Sequence, residues 1–335
     1  MSQATPTIPK AEASNRGLRA ALRSFLAQPI WIFLLAEILF FSLMPGSRDT
    51  FLSTGNLLNV LLQSTFIGVI ALGMTYVMIN GEIDLSVGAM MALAASLSVG
   101  LQSELGLIPA ALVGLASGVA LGFFNGVVTF KTGVDSFIVT LGAMLGIRGL
   151  VFVYTQQDSF YSMDFAYSDF GLSRIAGVPT LALIFLALAI ILHFVLTSTR
   201  HGRNAYAVGG NRDAALNAGV RTGRHVLINF ALLGGLAALS GILLSTQMGA
   251  STPTMGNVYE LWVITAVVLG GTKLTGGYGS IVGTVGGVLA IQILRNGMNL
   301  LQVQAYWVQV IIGAMLIAVL LLDQRSSASG DEVRA

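Results

Sequence analysis

Apolar stretches long enough to span a bilayer recur along this chain, separated by short polar turns. Leu57–Gly81, Leu85–Ser103, Leu105–Phe130, Ile175–Thr199, Val226–Tyr259, Leu274–Leu294 and Asn296–Leu322 contain no Asp, Glu, Lys or Arg. Ile30–Met44 carries a single acid, Glu37, and Val134–Tyr154 is interrupted by Arg148. A hydrocarbon core of ~30 Å needs about 20 helical residues, so each stretch suits one crossing. The run ending at Tyr259 is 34 residues long, which predicts a helix plus an uncharged loop and leaves Leu261–Thr272 as a shorter span. The pattern predicts ten helices at roughly 30–45, 57–79, 85–102, 108–130, 135–154, 178–198, 226–247, 259–271, 280–300 and 304–322.

The basic residues orient this bundle. With the N-terminus inside, the inner segments hold Lys10, Arg16, Arg19, Arg23, Lys131, Arg200, Arg203, Arg212, Arg221, Arg224, Lys273, Arg325 and Arg334. The outer ones hold Arg48 and Arg174, while Arg148 and Arg295 fall near helix ends. Such a bias fits an even number of crossings with both termini cytoplasmic. The expected fold is an all-α integral membrane protein of about ten transmembrane helices. It has a polar tail at 1–29, one polytopic domain at 30–322 with a cytoplasmic loop at 197–225, and a polar, disordered tail at 323–335. The first span lies too far along the chain for an ordinary signal peptide and reads as a retained anchor.

Composition narrows the class further. Of 335 residues, 55% are hydrophobic and 10% charged, and mean hydropathy is +0.81. Soluble domains run near 25% charged, so this chain cannot cover a water-facing surface. Cysteine is absent, which excludes disulfides and thiolate metal sites. His193, His201 and His225 are scattered, and no zincin, serine-elbow or P-loop pattern occurs, so no catalytic or metal residues are assigned.

Glycine carries the next signal. Gly114, Gly118, Gly122 and Gly126 repeat every four residues, as do Gly279, Gly283 and Gly287, and Gly142 with Gly146. Small-xxx-small ridges let membrane helices approach closely, so these are read as packing positions. Two further glycine-rich segments, 80–88 and 270–280, each follow an apolar helix and open another. Paired interruptions of this kind point to internal duplication and to a transport pathway. In the first, Asp84 or Ser86 suits a helix cap, while Glu82 and Asp84 are equally candidates for coupling or gating.

The stretch 199–219 is a polar, basic island between two membrane segments. Asn211 suits an N-cap, Asp213 a first turn and Gly219 a helix stop, which predicts about two turns over Ala214, Ala215 and Leu216. Two turns are unstable alone in water and need a surface. Arg200, Arg203, Arg212, Arg221 and Arg224 flank that helix and suit acidic groups on a partner; a loop basic only to set topology is the alternative.

These segments together resemble a known family. Gly-Glu-Ile-Asp-Leu-Ser-Val-Gly-Ala (81–89), His-Gly-Arg-Asn-Ala-Tyr-Ala-Val-Gly-Gly-Asn (201–211), and Ala-Val-Val-Leu-Gly-Gly-Thr-Lys-Leu-Thr-Gly-Gly-Tyr-Gly-Ser-Ile-Val-Gly-Thr (266–284) are similar to the permeases of ribose-type ABC importers, from about residue 30 to 323. The resemblance implies a bacterial inner-membrane subunit for monosaccharide uptake, working as a homodimer or paralogous heterodimer. Its partners would be a periplasmic sugar-binding protein and an ATPase, often with two fused nucleotide-binding halves, on which ATP and Mg would bind; this chain would hold no cofactor. The 211–219 helix would be the coupling helix, and Arg203, Asn211, Arg212, Asp213, Ala214, Ala215, Leu216 and Gly219 the residues that couple to the ATPase. Glu82 stands where the family more often has glycine, and Lys273 where a small residue is common.

Candidate pathway residues are Gln63, Ser64, Asn125, Asn229, Gln292, Asn296 and Asn299, each equally able to bridge helices by hydrogen bonds. Glu37 and Glu260 are further candidates as intramembrane or border acids, helix-start stabilisation explaining Glu260 nearly as well. The outer mouth would be formed by loops 45–56, 155–177 and 248–258. The expected cargo is a ribose-like pentose, a hexose or a deoxyhexose. A polyol or an autoinducer-2-like signal is the nearest alternative. An ion-coupled transporter fits less well, because most acids sit at helix ends.

Overall fold

A computed structural model describes residues 29–332 of the chain. In chain order its helices and short strands are α1 (Pro29–Leu43), α2 (Arg48–Phe51), α3 (Thr54–Ile79), α4 (Val87–Gly100), α5 (Gln102–Leu105), α6 (Leu107–Thr132) and α7 (Ser136–Thr155). Then come β1 (Phe160–Tyr161), α8 (Phe165–Leu172), β2 (Arg174–Ile175), β3 (Val178–Pro179), α9 (Thr180–Ser198), α10 (Arg200–Gly210) and α11 (Arg212–Asn217). The chain continues through α12 (Thr222–Met248), β4 (Ala250–Ser251), α13 (Tyr259–Leu269), α14 (Ile281–Leu300) and α15 (Ala305–Glu332). The expected tail 1–29 lies outside the described residues except for Pro29.

Among the described residues, α3, α6, α7, α9, α12 and α14 are long and apolar enough to cross a membrane. Shorter apolar helices occupy the remaining intervals read from the sequence: α1, α4, α13 and the Ala305–Ala318 part of α15. At 1.5 Å per residue, α4 reaches only about 21 Å and α13 about 16 Å, short of the ~30 Å core. Irregular backbone precedes α4 and flanks α13. Such backbone is tolerated at membrane depth only when protein covers it, and Asp84–Val87 are indeed buried.

Burial sorts the helices into centre and rim. The apolar windows of α3, α12 and α14 are 67%, 72% and 67% buried, against 22% for α6 and α7. Ile67, Ile70, Leu72, Met74 and Met78 of α3 are fully covered, which explains why its apolar residues surround the helix instead of forming a stripe. Its last turns are tied sideways: Tyr76 Oη donates to the Leu192 carbonyl at 2.5 Å and Asn229 Nδ2 to the Tyr76 carbonyl at 3.2 Å.

The ridge on α6 behaves as expected. Gly118 and Gly122 lie against the α12 backbone at Gly234 and Phe230, and a β-carbon at Gly114 would stand 2.6 Å from the Ala94 carbonyl oxygen. Gly283 and Gly287 of α14 pack in the same way on Gly270 and Ala266. Gly279 departs from that ridge, because α14 starts at Ile281 and Gly279 belongs to the loop before it. Gly142 and Gly146 face open space.

Four other expectations change. The stretch before Asn211 is not a loop but the helix α10, whose buried face is Gly202, Ala205 and Val208. The polar tail expected from 323 continues α15 as helix to Glu332. Neither Asp84 nor Ser86 caps α4 through a side chain; Asp84 Oδ1 instead accepts from the backbone N and Oγ of Ser86 at 2.7 and 2.5 Å. The loops at 155–179 and 248–258 also contain two short antiparallel pairs, Phe160 with Ser251 and Arg174 with Pro179 being in register.

Candidate functional site

The two turns of α11 form as the sequence dictates. Asn211 Oδ1 accepts from Ala214 N at 2.8 Å, and Asp213 sits in the first turn. At the other end Gly219 takes φ +83°, and its N–H and that of Val220 return to Leu216 O and Ala215 O at 2.9 and 3.0 Å. Ala215 is buried against the body, whereas Leu216 is 58% exposed. The Arg212 guanidinium rests over the Phe130 ring at 5.7 Å. The helix therefore has its supporting surface and still presents an apolar side chain outward.

Immediately before α11, three glycine-bearing segments meet. The end of α10 lies between the loop after α3 and the loop before α14. Gly277 N donates to the Ile79 carbonyl at 2.9 Å. A β-carbon at Gly209 would overlap the Ile79 oxygen and fall 2.6 Å from Gly277 N, and one at Gly276 would fall 2.8 Å from Gly81 N. Gly81 and Gly276 adopt φ +80° and +84°, conformations that cost L side chains strain. Tyr206 Oη adds a bond to the Gly279 carbonyl at 2.7 Å. Two segments nearly 200 positions apart in sequence thus meet at the root of α11, chiefly through backbone.

Glu82 joins this node to α11 directly. Its Oε1 lies 3.4 Å from Arg212 Nη1. Burial pushes the Glu82 carboxyl up from its ordinary range, while the Ser136 hydroxyl and Arg212 oppose that shift. The loop behind it is held by α7: Ile83 N donates to Ser136 Oγ at 3.0 Å and Leu85 N to Thr140 Oγ1 at 3.1 Å. Asp84 lies deeper and is fully buried, with Asn125 Nδ2 donating to Asp84 Oδ2 at 3.3 Å and Ser86 Oγ at 2.9 Å. Lys273 N closes the second loop on Tyr278 O at 3.1 Å. Arg203 Nη1 donates to Ser198 O at 3.4 Å, near the start of α10 and away from its Gly209 end.

The candidate pathway residues divide. Ser64, Asn125 and Asn229 are buried and bonded inside the bundle, the last two to neighbouring elements. Gln63, Gln292, Asn296 and Asn299 instead line one cavity of about 390 Å³ between α3, α13, α14 and α15. Asn56 and Asn296 exchange amide bonds at 2.9 and 2.8 Å across its edge. Arg295 and Trp262 are part of the same wall and were not among the sequence candidates. The guanidinium stacks 4.1 Å from the indole centroid and donates to Gln292 Oε1 at 3.2 Å. The signal was present in the sequence: Gln292, Arg295, Asn296 and Asn299 follow the i, i+3, i+4, i+7 spacing of one helical face.

The remaining singled-out residues lie elsewhere. Glu37 is buried in α1, and neither carboxylate oxygen has a hydrogen-bond partner among the described residues. Glu260 opens α13, as a stabilising first-turn acid would. Arg148, the charge inside the α7 stretch, donates to the Pro253 and Met255 carbonyls at 2.8 and 2.9 Å, pinning the buried loop before α13.

Comparison with known proteins places this geometry in a family. The model described as "Branched-chain amino acid transport system / permease component" matches residues 56–320. The ribose import permease of Bacillus subtilis (strain 168) is 40% identical, covering 84% of this chain and 88% of the relative. The D-allose transport system permease of Escherichia coli (strain K12) is 36% identical, covering 87% and 90%. The xylose transport system permease of the same strain is 30% identical, covering 96% and 98%. No solved structure matches. With apolar helices throughout and these relatives over most of its length, the chain belongs to that permease-component family, as a multi-pass inner-membrane protein of the sugar ABC importer kind.

Proposed function

We propose that this chain is the translocation subunit of an ATP-driven importer for a monosaccharide delivered by a periplasmic binding protein. The observation that carries the reading is α11, a capped helix that offers Leu216 outward while its root is packed, backbone to backbone, on both glycine loops. A separate ATPase subunit would dock on Asp213, Ala214 and Leu216 and move both loops together. ATP and Mg would bind on that subunit. The chain itself would perform no catalysis.

Ten membrane-entering helices with both termini cytoplasmic are part of the reading, as is pairing with a second permease copy. The polar wall of Gln63, Gln292, Arg295, Asn296 and Asn299 would then form one half of the sugar pathway, with hydroxyl-matching amides on one helical face. Ribose, allose and xylose are named for relatives, so a pentose or hexose is the cargo class proposed here.

The test is uptake in proteoliposomes containing this chain, its ATPase and its binding protein. ATP-dependent accumulation of one of these sugars, abolished by Leu216→Asp without loss of the permease from the membrane, is expected. Undiminished uptake without the ATPase, driven by a proton or sodium gradient, would overturn the proposal.

A further inference from the structure

Two cavities share a wall at the end of the bundle that carries α11. The first is a groove of about 730 Å³ between the last turns of α6 and the first turns of α12. Its walls are apolar, with Phe123, Val127, Phe130, Leu227 and Ile228, and its rim carries Lys131, Arg221 and Arg224. Phe123, Phe130 and Ile228 are 49%, 41% and 39% exposed, so the groove opens on the outer surface of the bundle. The second cavity, about 380 Å³, is polar and is lined by Arg200, His201, Asn204 and His225 together with the same Arg221 and Arg224.

Charge in this region is uncompensated. No Asp or Glu lines either cavity. Among the described residues, Lys131, Arg200, Arg221 and Arg224 form no ion pair. His225 is buried, stacked on His201 with centroids 4.8 Å apart, and its Nδ1 has no hydrogen-bond partner among the described residues. The 27-residue helix α12 also begins here, at Thr222, adding its positive end to the same field.

We propose that this chain binds an anionic phospholipid here, its headgroup phosphate between Arg221 and Arg224 and an acyl chain along the α6–α12 groove. An inorganic anion would satisfy the arginines but leave the aromatic groove empty. A zwitterionic lipid would fill the groove but bring its own cation into a site that already has four. The contiguity of apolar groove and cationic cavity selects a ligand with both properties, and basic pockets between membrane helices suit such headgroups. The site bears on α11 through Leu216, which borders the groove, and does not depend on the transport reading.

Native mass spectrometry of the delipidated full-length chain in detergent tests this. The probes are dioleoyl phosphatidylglycerol, dioleoyl phosphatidylcholine and inorganic phosphate. Retention of the glycerol lipid on the order of tenfold above the choline lipid is expected, with no displacement by millimolar phosphate. Arg221→Gln with Arg224→Gln should bring the two lipids to parity. Val127→Trp keeps every charge and fills the groove, so it should lower glycerol-lipid retention; unchanged retention in this variant refutes the site even if the arginine variant fails to fold. Parity of the two lipids on the parent chain refutes it, as does displacement by phosphate alone. Occupation of the groove only by the ATPase subunit or a second copy, with no lipid retained, assigns it to protein contact and overturns the proposal.

Discussion

Arg212 reaches back across 3.4 Å to Glu82, joining the outermost helix of the loop to the segment that interrupts the membrane helices α3 and α4. The arginine is half exposed, so the pair itself stabilises the fold by no more than ~1 kcal/mol. Its weight is positional. Glu82→Arg or Arg212→Glu alone should reduce ATP-dependent uptake severalfold while unfolding stays within ~1 kcal/mol of the parent. The double exchange should restore most of the uptake. Failure of the exchange, with each single variant defective, would show that the two side chains act separately.

The same glutamate gives a pH signature. Because burial raises its carboxyl, the folded chain holds that proton more tightly than the unfolded chain does. Its contribution to stability is therefore complete below the ordinary carboxylate range and is lost as pH rises through the raised value. Glu82→Gln removes this dependence. Thermal unfolding of parent and variant from pH ~4 to ~8 should shift in the variant's favour as pH increases through that window.

Adjacent glycines should respond in opposite ways. Gly209→Ala drives a methyl group into the Ile79 carbonyl and should cost about 1–3 kcal/mol, with lost transport. Gly210 has nothing within 4 Å of its β position and ends the same helix, so Gly210→Ala should be neutral or stabilise by about 0.5 kcal/mol. Denaturation of the two variants side by side separates close approach from general helix preference.

Within the polar wall, Asn56 and Asn296 should act as a unit. Either alanine variant leaves one half-buried amide without its partner and should cost ~0.6 kcal/mol, up to ~1.7. The double variant should cost less than the sum. Asn299→Ala, which breaks no such pair, should leave stability intact yet slow uptake by up to about tenfold if one sugar hydroxyl loses its partner. Uptake and unfolding measured on all four chains distinguish wall from bolt.

Much of this was legible in the residues. Long uncharged runs, the Asn211 cap and the Gly219 stop are local signals and appear at the expected positions. Helix α10 was not legible, because Gly202, Gly209 and Gly210 disfavour helix and its order comes from packing on α3 and α12. The gathering of Gln63 with Gln292 and Asn299 was half legible: the stripe on α14 is a spacing, but its meeting with α3 is a tertiary fact. Asp84 and Asn125, also read as gating or pathway residues, carry the same chemistry as the residues that line the cavity. Only depth sets them apart, and the sequence carries no sign of it. Gly279 was misplaced by counting in fours across a helix start that Ser280, the cap, fixes one residue later.

Glycine at the meeting of Ile79, Gly209 and Gly277 has a mechanical result. Long side chains absorb a push by changing rotamer, so a shove delivered through Arg212 would be partly spent on slack. Touching peptide planes have no rotamers to yield, and their carbonyls and amides are already tethered to helix ends. A displacement imposed on α11 would bear on the end of α3 and on the loop before α14 at once. The absence of β-carbons here makes the linkage stiff.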